Sequence, residues 1–476
     1  MPGSISFEYR FANTAKPAAR ELDQLPMHLL LMANFSGQRE GGALAQRAIL
    51  KVDIDNMDQI MARIAPRLSL ELSGTRINLQ FANLDDFTPD AIYRQVGLFA
   101  ALRQQLADDL AKSAAAPVAQ APAPAASDNP FQALLGGQIS QAASQGAGGP
   151  LDGLLKQIVA PHIAPTAPNP QHKAVQDAAC GLLMNAILHH PEFQALEAAW
   201  RGVHFMITQL DLDGELKLFL LDIDKAELAA DCAANAADLG QSACYHLLGE
   251  RWQAAADPVP WSVLIGQYQF DASEADLATL GAMGAIAQRL NAPFVSGAAS
   301  SIVGCTAFNQ QSDPRDWQPD PAQRAGWQAL CQSSQARWLG LALPRLLMRL
   351  PYGANLDPVS SFAFEEMNGA PDHEALLWGS AGLAAGLVLG QCFQEEGWDM
   401  QPGAAMEIDD LPAYTWREQG EAHLQAAAEV ALLERANEAC WQFGLMTLQS
   451  YKNRNAVRLM RISSLAQTAL AGRWGE

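Results

Sequence analysis

Two pairs of adjacent carboxylates, Asp85–Asp86 and Glu365–Glu366, and one pair of adjacent histidines, His189–His190, are the residues whose types invite a catalytic or metal-binding reading. General acid–base work needs two groups aimed at one substrate, and a metal needs ligands that converge on a point. Sequence neighbours diverge instead, by about 100° on a helix. These pairs therefore read as solvated, capping or packing residues. Seven cysteines (Cys180, Cys232, Cys244, Cys305, Cys331, Cys392 and Cys440) lie far apart, with no C-x-x-C spacing and an odd count. That pattern fits scattered reduced thiols better than a disulfide framework or a zinc site. There is no G-x-x-x-x-G-K-[ST] loop, no G-x-G-x-x-G between strand and helix, no G-x-S-x-G elbow and no H-E-x-x-H. No catalytic residue, cofactor or metal is expected. An enzyme or small-molecule binder stays as the alternative, and would need a pocket assembled from distant residues.

Charge narrows the partners. The 476 residues carry 51 acidic and 31 basic side chains, a net charge of -20. Such a surface repels phosphate backbones, so nucleic acid is not an expected ligand. One local exception is the run Lys452 to Arg461, with Arg454, Arg458 and Arg461, which reads as a solvated or partner-facing basic end. Met1 to Lys16 has no apolar core of a signal peptide. Ala375 to Gln394 lacks charge, but its Gly/Ala content and the flanking Glu374 and Glu395 point to a buried core helix rather than a membrane span. A cytoplasmic protein without membrane insertion is expected.

The elements that position these residues fall into two blocks, 1–112 and 151–448, joined by an Ala/Pro/Gly-rich linker over 113–150 and followed by a basic tail at 449–476. In the first block, Met27 to Phe35 is an apolar run suited to a buried strand. Met57, Ile60, Met61 and Ile64 mark a helix that Pro66 ends. Ile77, Leu79 and Phe81 alternate as in a strand, and Thr88–Pro89 starts a helix with an apolar stripe from Ile92 to Leu106. In the second block, helices are expected over Lys173 to His189, from Pro191 onward, over Lys225 to Cys232 and over Asp238 to Trp252. Strands are expected at Leu216 to Ile223, Trp261 to Phe270 and Ala292 to Ser296. Ser273 and Asp276 form a variant capping box. The C-terminal part reads as helical: Ala322 to Trp338, His373 to Phe393 and Glu421 to Phe443, with Gly444 as the stop. Alternating strands and helices make the fold class α/β.

The most distinctive features are short strings that set an aromatic or an arginine beside helix or turn punctuation. They are HHPEFQALEAAWRG (His189 to Gly202), IGQYQF (Ile265 to Phe270), NAPFVSGA (Asn291 to Ala298), LPRLLMRLPYG (Leu343 to Gly353), FEEMNG (Phe364 to Gly369) and LLWGSAG (Leu376 to Gly382). Trp200, Arg201, Arg345, Arg349, Tyr352, Glu365, Glu366 and Trp378 are the candidate interaction or core residues. Tryptophan and arginine are the types enriched at interface centres. Trp200 continues the apolar face of Phe193 and Leu196 and should be buried. Arg201 should meet a carboxylate or cap a helix. Arg345 and Arg349, four apart, would share a face on a helix.

At these strings the second block resembles the large subunit of the contractile sheath of type VI secretion systems. Matching patterns run in order through His190 to Gly202, Ile265 to Phe270, Ala292 to Phe294, Pro344 to Gly353, Phe362 to Glu366 and Leu377 to Ala381. The first block is similar to the small sheath subunit over Leu25 to Gly37, Ala65 to Leu68 and Phe81 to Asp90. The resemblance implies a sheath-like α/β fold in which a small α/β unit packs on a larger domain. It also implies work through protein–protein contacts with sheath and baseplate proteins, the inner tube protein and an AAA+ disassembly unfoldase. The large-subunit resemblance is read as far as Gly444 to Leu448. Two forms of the function follow: a contractile sheath protomer, or an accessory that docks on sheath or baseplate through the basic tail.

Overall fold

The structure is a computed structural model. It describes residues 7–11, 25–38, 42–72, 74–104, 106, 169–212, 214–251, 259–311, 313–402, 406–451 and 454–475. The linker expected at 113–150, Lys112 and Lys452 lie outside the described residues.

In chain order the strands are β1 (Met27–Ala33), β2 (Leu50–Val52), β3 (Arg67–Leu72), β4 (Thr75–Gln80), β5 (Leu216–Asp222), β6 (Val263–Phe270), β7 (Phe294–Ala298), β8 (Leu339–Leu343), β9 (Leu346–Leu347), β10 (Trp378–Gly379), β11 (Met406–Ile408), β12 (Tyr414–Glu418), β13 (Glu421–Gln425), β14 (Met446–Ser450) and β15 (Val457–Leu459). The helices used below are α1 (Met57–Ile64), α2 (Pro89–Gln95), α3 (Asn169–Leu188), α4 (Pro191–Gln209), α5 (Lys225–Ala234), α6 (Glu274–Leu290), α7 (Pro321–Cys331), α8 (Gly382–Glu396) and α9 (Glu434–Trp441).

Among the described residues, nine strands form one sheet in the order β11-β15-β14-β8-β7-β6-β1-β5-β2. From β14 to β5 neighbouring strands run parallel, while β2, β15 and β11 pair antiparallel with their neighbours at the two edges. A parallel strand is covered on both faces and so reads as an unbroken apolar run. That explains MHLLLMA and LKLFLLD. Within β1, Leu29 and Leu31 face one core, and Leu30 and Met32 the other. The first core lies under α3, α4 and α8 together with the first block's α1, α2 and β3–β4 hairpin. The second lies under α5, α6, α7 and α9.

Several expectations change in the folded chain. The α/β fold holds, and the two blocks share one sheet, because β1 is threaded between β5 and β6. The stripe from Ile92 to Leu106 is buried as expected, but the helix is interrupted: α2 ends at Gln95 and Val96 is extended. Thr88 makes no side-chain cap; its hydroxyl donates to the Asp85 carbonyl instead. Asp86 completes a capping box with Asn83. The helix expected over Asp238 to Trp252 is broken into a 3-10 turn, one helical turn and a π-helical stretch. Glu421 to Phe443 is not one helix either. Gln419 and Gly420 both take positive φ, which turns the chain into the β12–β13 hairpin. The helix resumes as α9 only at Glu434. Within 449–476, expected as a tail, the end of β14 and β15 continue the sheet: β14 pairs with β15, and β15 with β11. The charge-poor segment becomes α8, buried from Gly382 to Leu389, and no described helix is long and apolar enough to cross a membrane.

Candidate functional site

The sequence strings converge on α4. His190 caps this helix through its side chain, and Pro191 occupies the first turn, where its missing N–H costs nothing. From that start, Glu197, Trp200 and Arg201 fall on the side that meets the first block and the 343–366 segment. Trp200 is fully buried. Its indole Nε1 donates to the Phe35 carbonyl at 2.9 Å, and the two rings lie 5.3 Å apart. Phe35 belongs to the turn that leaves β1. There the Phe35 and Ser36 N–H groups donate to Asp222 at the end of β5, at 2.8 and 3.2 Å. Gly37 follows with φ +68. A Cβ there would press into the Arg67 carbonyl, so glycine is required both by conformation and by space.

Beside Trp200 lies a buried charge network. Arg349 donates to Glu197 Oε1 at 2.9 Å and grips Glu366 with two bonds, at 2.7 and 3.0 Å. Arg201 donates to the same Glu197 oxygen at 2.7 Å and to the Tyr352 hydroxyl at 3.3 Å. Glu366 also accepts from the Tyr352 N–H at 2.8 Å and meets His189 Nε2 at 3.2 Å. Both carboxylate side chains are fully buried, and Arg349 is 7% exposed. Burial opposes the ionisation of Glu366. Arg349, with the bonds from His189 and the Tyr352 N–H, outweighs it and holds the pKa at about 2. Burial, reinforced by Glu197, pushes the Tyr352 hydroxyl up to about 12. Two arginines face two carboxylates here, an arrangement that fixes geometry. Glu365 turns the other way and accepts from the Ala354 N–H at 3.0 Å. The adjacent carboxylates thus do separate jobs.

Arg345 and Arg349 do not share a helix face, because the segment is extended and Leu346–Leu347 pairs with Trp378–Gly379. Arg345 instead binds Glu429 with Nε at 3.1 Å and Nη2 at 2.7 Å. It also lies 5.6 Å from the centre of the Trp378 ring. His373 meets Glu429 at 2.9 Å. Burial raises the Glu429 pKa, but the bonds from His373 and Arg345 prevail and set it at about 2. Around Trp378, Leu347, Leu376 and Tyr414 form a small separate core that carries the β12–β13 hairpin.

Among the described residues of the basic run, the arginines have neighbours within the chain. Arg454 binds Glu407 at 2.9 Å and Asp409 at 2.6 Å. Arg458 sits opposite Glu407 across the β11–β15 ladder. Arg461 lies 4.5 Å from the Trp441 ring centre. An acidic partner would have to compete with these contacts.

Further contacts tie the blocks together. Asp90 accepts from the Ser360 and Ser361 N–H groups at 3.0 and 2.8 Å, Arg103 pairs with Asp177 at 2.9 Å, and Phe87 meets Phe193 edge-on at 5.7 Å. Glu197, Glu429 and Asp90 were missed as partners in the sequence. Only Glu197 left a local signal, four residues before Arg201 on one helix.

Known proteins bear the same two signatures. The VipB family model, the EvpB/VC_A0108 tail sheath N-terminal domain, matches residues 173–466, more than half of the chain and past the limit at Leu448 read from the strings. The VipA family model of type VI secretion systems (VC_A0107 or Hcp2) matches residues 5–117. The chain is 32% identical over 305 residues to the type VI secretion system sheath protein TssC1 of Pseudomonas aeruginosa, covering 62% of this chain and 61% of that protein. It is 30% identical over 82 residues to the sheath protein TssB1 of the same organism, covering 15% of this chain and 48% of that protein. With both signatures in one polypeptide and one shared sheet, the chain belongs to the type VI secretion tail sheath family and joins a VipA-type block to a VipB-type block.

Proposed function

We propose that the chain is a structural component of a type VI secretion system, a one-to-one sheath-type unit that acts through protein–protein contacts and not as an enzyme. The observation that carries this reading is the position of β1: all seven of its residues are buried and paired with β5, and Leu29 to Met32 pair with β6 on the other side. A single chain thereby supplies both halves of the unit in fixed stoichiometry. Its partners are sheath and baseplate proteins, with the tube protein and a disassembly unfoldase as further candidates, and its place is the cytoplasm.

Between the two forms of this function, the internal pairing of Arg454 and the stacking of Arg461 weigh against docking through a basic tail. The sheath-protomer form needs no such tail. Negative-stain microscopy of the purified chain, alone and with sheath proteins encoded beside it, tests the reading. Tubes formed alone, or incorporation into tubes with those proteins, support the protomer. Discrete particles that bind preformed sheath support the accessory. No association with any sheath or baseplate protein would overturn both.

A further inference from the structure

Residues 7–11, Phe-Glu-Tyr-Arg-Phe, lie against α6. The segment is extended and alternates. Phe7 is buried, Tyr9 and Phe11 are half-buried, and Glu8 and Arg10 point to solvent. Two of its main-chain carbonyls are captured: Gln335 Nε2 donates to Phe7 at 3.1 Å and the Leu239 N–H donates to Arg10 at 3.0 Å. The Tyr9 hydroxyl donates to the Ala278 carbonyl at 3.3 Å. The Phe11 ring packs 5.0 Å from Tyr245, with the Arg289 guanidinium 5.9 Å from its centre.

The helix is notched where the segment crosses it. At Gly281 a Cβ would stand 2.5 Å from both Phe7 Cδ1 and the Tyr9 hydroxyl, and 3.0 Å from Phe7 Cε1. The three atoms nearest that position all belong to residues 7–11. Gly281 is therefore spared a side chain by the segment lying on it and not by the core beneath. Glycine in a helix interior is unfavourable on its own, and this contact gives it a reason.

From these contacts we infer that the face of α6 around Gly281 is a peptide-binding groove. Its ligand is an extended segment with aromatic side chains at alternate positions, and residues 7–11 fill it as a releasable strap. Recognition follows a familiar physical division: aromatic anchors supply area, and captured carbonyls fix register. Release is easier here than for β1. Among the described residues, the hydrogen bonds that hold the strap come from one side-chain amide, one loop N–H and one phenol, whereas β1 is laddered on both sides. A competing segment with the same alternation would take the strap's place, and the leading end of the first block would then be free of the second.

The test uses the full chain and a fluorescein-labelled peptide of residues 4–12. Replacing Phe7, Tyr9 and Phe11 together by Ser should empty the groove. Anisotropy should then show the peptide binding this variant at least tenfold more tightly than the unsubstituted chain. Adding Gly281→Leu should reduce that binding at least tenfold. A peptide whose three aromatics are Ser should bind neither. Independently, in the otherwise unsubstituted chain, Gly281→Leu should speed tryptic cleavage after Arg10 at least tenfold while the near-UV dichroism of the core persists. Equal peptide binding by strapped and emptied chains, no binding by a folded emptied chain, or unchanged cleavage after Arg10 would each overturn the groove.

Discussion

The indole nitrogen of Trp200 is bonded to the main-chain carbonyl of Phe35, so a helix of the VipB-type block is fastened to the backbone of the VipA-type block at the point where β1 leaves the sheet. Truncating this side chain removes a fully buried ring and the bond together. Trp200→Ala should cost about 3–5 kcal/mol. Trp200→Phe keeps most of the apolar area but strands the Phe35 carbonyl, and should cost about 1–3 kcal/mol. Urea unfolding of the two variants checks both values. Unchanged midpoints would place Trp200 outside the core.

The charge network makes a different prediction, about coupling. Arg349→Met leaves Glu197 and Glu366 buried without their shared cation, a loss of about 3–5 kcal/mol. Once Arg349 is gone, Glu366→Gln relieves one of the stranded charges. The double variant should therefore be less destabilised than the sum of the single variants. Additive losses in a double-mutant cycle would show that the three side chains do not act as a unit.

Acid should weaken the fold in two successive, overlapping windows. His28, on β1, is packed against Phe219 and Trp261. Burial, then Lys217 and Lys51, lower its pKa from 6.5 to about 3. The unfolded chain takes up this proton first. The His28 contribution is thus complete above pH 6.5 and declines toward pH 3, at about 1.4 kcal/mol per unit. Glu366 and Glu429, lowered from 4.5 to about 2, lose theirs only below pH 4.5. Between pH 6.5 and 5, His28→Leu should flatten the dependence by roughly 2 kcal/mol. Because His204 is also shifted downward, the diagnostic is the difference between the two chains. Parallel profiles would mean that His28 is protonated in the fold.

Separating the blocks gives a direct test of the shared sheet. Chains of residues 1–112 and 151–476, expressed together, should co-purify one to one. Each alone should aggregate, since the first exposes β1 and the second exposes the facing edges of β5 and β6. Two soluble halves that ignore each other would contradict the pairing.

Much of the local structure was readable because it rests on local rules. The apolar run at Met27, the proline after α1, the stripe of α4 and the strands at Leu216 and Val263 all follow from periodicity and punctuation. Topology was not readable in the same way. Nothing in MHLLLMA says that its neighbours will be β5 and β6, because ladder partners in a parallel sheet are chosen by the whole fold. Residues 421–443 are rich in Ala and Glu, so helix propensity pointed one way, while a two-residue turn at Gln419–Gly420 decided the other. At the site, the arginines and Trp200 stood out by type. Glu366 stood out within its string, but Glu429, the partner of Arg345, lies in a distant segment where charge alone distinguishes no single residue.

The placement of β1 also sets a schedule for synthesis. His28, on β1, donates its main-chain N–H to Ser262, at the entrance to β6, across 234 positions of chain. At ribosomal speeds of about 5–20 residues per second, roughly 10–50 s separate the emergence of the two partners. For most of that interval, until β5 emerges, seven consecutive sheet-forming residues, five of them Leu or Met, are outside the ribosome with no second-block strand to join. The VipA-type block is made first yet completes its fold last, and the cell must keep that segment from other strands until the VipB-type block arrives to enclose it.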